Sequence, residues 1–116
     1  MLEDIKSLLK EALECLEKGE INKLKSVSDH VIHNATLYQD PYSIMTAVIV
    51  YALAKILERE KVKLHHPDWD KFLRDVKRRL KNAIKCIEEE NLEGFEREMK
   101  SIETEIWTSE EHYKMY

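Results

Sequence analysis

Apolar positions recur every three or four residues along nearly the whole chain, the period of an amphipathic α-helix rather than of a strand. Leu2, Ile5, Leu9, Leu13 and Leu16 predict a first helix over 2–18, which Gly19 ends. Ile21, Leu24, Val27, Val31, Ala35 and Tyr38 share one face of a second helix over 20–38. Asp40-Pro41 reads as the N-cap and first residue of a third helix, over 41–63, because an aspartate can accept from the unpaired N–H groups and proline has no N–H to lose. A fourth helix starts at Pro67-Asp68 and ends near 90. A fifth covers 91–112, with Leu92, Phe95, Met99, Ile102 and Ile106 as its stripe. Two glycines and two prolines in 116 residues leave little material for hairpin turns, which excludes an all-β fold. A chain of this length fits one domain, residues 1–116.

The pattern also repeats itself. LEDIKSLLKEALECLEKGEINKL (2–24) aligns without a gap on LRDVKRRLKNAIKCIEEENLEGF (73–95), so Leu2 matches Leu73, an offset of 71. Asp4/Asp75, Lys6/Lys77, Leu9/Leu80, Lys10/Lys81, Ala12/Ala83, Cys15/Cys86 and Glu17/Glu88 are identical. Ile5/Val76, Leu13/Ile84, Leu16/Ile87, Ile21/Leu92 and Leu24/Phe95 keep their apolar character. Two similar helical hairpins are therefore expected to flank the third helix in an all-α antiparallel bundle of five helices.

That third helix has no polar face. SIMTAVIVYALAKIL is apolar nearly all round, and such a helix needs cover on every side. Its expected place is the centre of the bundle, with the two hairpins packed around it; either they bury it within one chain or a second copy completes the cover, which is the expected homodimer. Ala47, Ala52 and Ala54 would let another helix come close.

Charge and composition narrow the partners. The net charge is −4, against the basic balance expected for a partner of nucleic acid or an anionic membrane. The most apolar run, Ile44–Leu57, is about 14 residues, short of the roughly 20 that span a bilayer. Charges appear too early in MLEDIKSLL for a secretory signal. Cys15 and Cys86 form no metal or redox motif and read as free thiols. These points predict a soluble cytoplasmic protein without a cofactor. The many charges, 36% of residues, and the scarcity of Asn and Gln resemble proteins from hot environments.

Chemistry-bearing residues gather in SDHVIHNATLYQD, residues 28–40. At 100° per residue Asp29 and His33 fall opposite the core stripe of the second helix, with His30 at the edge of that outer face. Asp29, His30, His33 and Asn34 form a candidate binding surface outside the core stripe. Their counterparts in the second hairpin, Lys100, Ser101, Thr104 and Glu105, differ in chemistry, so the scaffold does not require the His-rich set. His30 and His33 are spaced to chelate a metal from one helix face, with His65, His66, Asp68 and Asp70 as the nearest source of further ligands. On the fourth helix Arg74, Lys77, Arg78, Lys81 and Lys85 make a basic stripe able to track a phosphate backbone. No aromatic residue is interleaved with it, and ion pairs to Glu93, Glu96, Glu98, Glu103 and Glu105 of the neighbouring fifth helix, or plain solvation, explain it well without nucleic acid.

Arg59-x5-His65 resembles the R-x4–6-H motif of HEPN-type ribonucleases, which are also small helical bundles. That resemblance implies an arginine that steadies phosphate and a histidine that moves a proton at the 2′-hydroxyl. It covers two residues, and Glu60 stands where the family has a different polar residue. No complete catalytic set is visible in the chain. The expected function is a non-enzymatic interaction or adaptor module that binds itself and another protein. The alternatives are an RNA-directed protein of HEPN type and a metal-binding bundle.

Overall fold

The computed structural model describes residues 2–59 and 68–114, with side chains through residue 108. Among the described residues five helices form in the expected order: α1 (Leu2–Lys18), α2 (Ile21–Tyr38), α3 (Pro41–Glu58), α4 (Trp69–Glu88) and α5 (Leu92–Lys114). α3 stops earlier than its apolar pattern suggests. Arg59 has extended backbone angles, and its N–H turns back to the Ile56 carbonyl at 3.2 Å, closing a tight last turn. The rest of the expected extension, 60–63, lies outside the described residues.

Helix starts follow local chemistry. Asp40 Oδ1 accepts from the Tyr42 and Ser43 N–H groups, each at 3.0 Å, and Pro41 occupies the first turn. Burial works against the Asp40 carboxylate, but hydrogen bonding from Ser43 and the Tyr42 N–H outweighs it and holds the group below its ordinary range. Asp68 caps α4 through the Lys71 N–H at 3.0 Å, and Asn91 caps α5 through the Gly94 N–H at 2.9 Å.

The two hairpins are built alike down to single hydrogen bonds. α1 ends with Gly19 in the left-handed region and the Glu20 N–H on the Cys15 carbonyl at 2.9 Å. α4 ends with Glu90 in the same region and the Asn91 N–H on the Cys86 carbonyl at 2.7 Å. Each is a Schellman ending, which satisfies the last carbonyls of the helix, and each pair of residues is 71 apart. The core repeats too: Ile5/Val76, Leu9/Leu80, Ala12/Ala83, Leu16/Ile87, Leu24/Phe95 and Val31/Ile102 are buried in both copies.

The helices pack as a ring in the order α1–α2–α3–α5–α4 and back to α1. α1 and α4 are antiparallel, and Lys10–Glu88 at 3.6 Å has its mirror in Lys81–Glu17 at 3.7 Å. Residue i meets j while j's twin meets i's twin, the signature of a two-fold relation. The bundle is thus two hairpins joined about a pseudo-two-fold axis, with α3 lying across that axis between α2 and α5. Its N-terminal end meets α5, where Tyr42 packs on Phe95, and its C-terminal end meets α2, where Lys25 pairs with Glu58.

Candidate functional site

Placing α3 in a ring rather than at a centre decides which of its sides is covered. Ser43, Thr46, Ala47, Ile49, Val50, Leu53, Ala54 and Ile56 are buried toward the core, chiefly against α2 and α5. Ile44, Val48 and Tyr51 point away from it, and with Trp107 of α5 they are 46 to 58% exposed. Counted from Pro41 to Glu58, α3 is 18 residues long and, by length and composition, apolar enough to cross a membrane. Fewer than half of those residues are buried in the fold.

The exposed residues form one surface. The spacing of 44, 48 and 51 is that of a single helix face. Lys55 continues it, with its ammonium 5.6 Å from the Tyr51 ring centroid and 3.7 Å from Glu58. Between α3 and α5 runs an open groove of about 620 Å³, walled by Val48, Tyr51, Ala52, Ile106 and Trp107, with Lys55 and Arg59 at its end. On α2, Ile32 is 40% exposed. The antiparallel register set by Lys25 and Glu58 puts it level with Tyr51, so the apolar surface continues across that seam.

The residues singled out in the sequence are distributed differently. Asp29, His30 and His33 are exposed on α2, as expected. His30 and His33 line a shallow groove of about 290 Å³ with Asp4, Ser7 and Glu11 of α1, and Asp29 is not part of it. Asn34 differs from those three in exposure: it is buried, 8% exposed, with its Nδ2 unpaired. It sits on the flank of α2 that faces α1 and lines the same groove as His30 and His33, at its floor rather than on the exposed outer face. Tyr38, expected in the core stripe, is half exposed, and its hydroxyl donates to Asp4 Oδ2 at 2.9 Å.

Among the described residues, no group of three His, Cys, Asp or Glu side chains is arranged to hold a metal. Asp68 and Asp70 start α4 and do not line the His30–His33 groove. His65 and His66 lie outside the described residues, so the Arg59–His65 pair has no geometry here. Arg59 itself ends α3 and borders the α3–α5 groove.

The basic stripe of α4 has other partners than those expected. Arg78 pairs with Asp75 at 3.5 Å, Lys85 with Glu89 at 3.9 Å, and Lys81 with Glu17 of α1 at 3.7 Å. Arg74 and Lys77 stand on the same helix, the first exposed and the second half-buried. Toward α5 the pairing cation is Arg79, between Glu98 at 3.4 Å and Glu105 at 3.3 Å. Burial pushes the Glu105 carboxyl above its ordinary range, Asp75 adds to that, and Arg79 counteracts it.

Comparison with known proteins adds no relative: no family model matches the chain, and neither a curated protein nor a solved structure matches it.

Proposed function

We propose that this protein is an interaction module that acts as a homodimer through the outward face of α3. The carrying observation is the exposed apolar surface of Ile44, Val48, Tyr51 and Trp107, on a helix whose other side is core. Contiguous apolar surface of this kind marks association sites in soluble proteins. A second copy suits it for three reasons. The stripe has the spacing by which one helix packs on another. The bundle measures 39 by 25 Å along its two longest axes, room for the roughly 800 Å² that each partner gives to a stable interface. α3 also lies across the pseudo-two-fold axis, so an isologous dimer about Val48 extends a symmetry that the chain already has.

Sedimentation equilibrium tests the reading. The unaltered protein should run as a dimer at micromolar concentration, and Val48→Asp should run as a monomer with unchanged helical circular dichroism. Val48→Cys should form a disulfide dimer under mild oxidation, whereas Asn22→Cys, at the far end of α2, should not. An unaltered protein that stays monomeric at high micromolar concentration would sink the proposal.

A further inference from the structure

The pseudo-two-fold axis gives each end of the bundle a twin, and the twins differ in how they are filled. Where α5 begins, Phe95 is fully buried and packs against Tyr42 of α3, with ring centroids 6.1 Å apart and planes tilted by 58°. Where α2 begins, Leu24 stands in the place of Phe95, and Leu57 from the opposite end of α3 stands in the place of Tyr42. Two rings at one end are replaced by two leucines at the other. A half-enclosed pocket of about 220 Å³ results, completed by Cys15 and Leu16 from the end of α1 and by Trp69 and Leu73 from the start of α4.

Protein interiors are packed nearly as densely as organic crystals, so a space of this size is not filler. An apolar cavity of about 150 Å³ can remain dry and admit a benzene-sized guest. We infer that this pocket binds a small neutral aromatic molecule of one or two fused rings, in the place that the Phe95 ring holds at the twin end. The walls supply aliphatic contact from Leu16, Leu24, Leu57 and Leu73. Trp69 offers the tilted aromatic neighbour that Tyr42 offers Phe95. Cys15 adds a soft, polarizable sulfur. Among the described residues that line the pocket the charged side chain is the Glu20 carboxylate, which disfavours an aromatic acid there.

Toluene and indole are the probes, used on the full chain. Either should raise the Tm by about 2–4 °C at saturation, as expected for a ligand that binds only the folded state. Either should also shift the methyl resonances of Leu24, Leu57 and Leu73 while leaving those of Leu8 and Leu37, which border the other groove, in place. Leu24→Phe restores the missing ring, so it should raise the Tm without ligand and abolish the response to toluene. Leu57→Phe fills the same space from α3 and provides the same reading if Leu24→Phe does not fold. The inference is overturned if neither probe moves the Tm or those methyls, or if a folded ring-filling variant responds to toluene as the unaltered protein does.

Discussion

The first and second hairpins share a backbone, a turn and a core, yet they close their seams by different chemistry. At twin positions, α4 and α5 place Arg79 against Glu105, where α1 and α2 place Leu8 and Asn34. Both solutions leave one buried polar atom unpaired at the same point of the scaffold, Glu105 Oε2 in one hairpin and Asn34 Nδ2 in the other. One hairpin meets a half-buried carboxylate with a guanidinium; the other removes both charges together. The same point of the scaffold thus carries a charged pair in one hairpin and an uncharged pair in the other.

That comparison breaks most readily at Arg79. Arg79→Leu copies one half of the first hairpin's solution and strands Glu98 and Glu105 beside each other. It should cost about 2 kcal/mol, below the range for a fully buried pair because these side chains are partly solvated. Adding Glu105→Asn, the other half, should recover most of the loss in a urea double-mutant cycle. Simple additivity of the two changes would show that the positions are not a matched pair. The seams should also differ in pH response. Because burial raises the folded-state value of Glu105, its protonated form is favoured by folding. That stability is fully present below the unfolded value and is lost as pH rises through the folded one. The unaltered protein should therefore lose ground to Glu105→Gln across that window, and the Asn34 seam should show no matching change.

The turns give a smaller test. Gly19 and Glu90 hold the same left-handed conformation, and a side chain at 19 would meet open space, so only backbone strain separates them. Gly19→Ala should cost about 1 kcal/mol, and Glu90→Gly should gain somewhat less, because glycine also loosens the unfolded chain. Thermal melts read both. The smallest effect is expected at the twin ion pairs. Lys10→Ala and Lys81→Ala should each cost at most about 0.5 kcal/mol, with equal values, since Lys10–Glu88 and Lys81–Glu17 are similarly exposed. Clearly unequal values would argue against the pseudo-two-fold relation.

Much of this architecture is legible in the chain itself. Helices with a clean stripe, such as Leu92–Ile106, are read from their period, and the Asp40-Pro41 start is read from capping chemistry. The similarity of the hairpins is visible in an ungapped alignment, down to Cys15 and Cys86. The misreadings lie at the edges of stripes. Asn34 lies beside the core face of α2, and the line along which α1 crosses decides that it is covered. Hairpin partners are neighbours in the chain, which points the α4 stripe at α5, whereas Lys81 reaches α1 on the far flank of the ring.

Local order was legible in the sequence alone: the described helices, the Asp40 cap and the Gly19 ending, each set by interactions within a few residues, and the likeness of the two hairpins. The tertiary structure decided direction. An all-apolar helix such as α3 carries no signal of which side faces out, since every side gains from burial. Only the packing of α2 and α5 against it leaves Ile44, Val48 and Tyr51 in water and makes that face the surface on which a second copy can be tested. The pocket beside Leu24 has the same origin, because a leucine becomes an unfilled space only where the surrounding helices hold the shape that Phe95 and Tyr42 fill at the twin end.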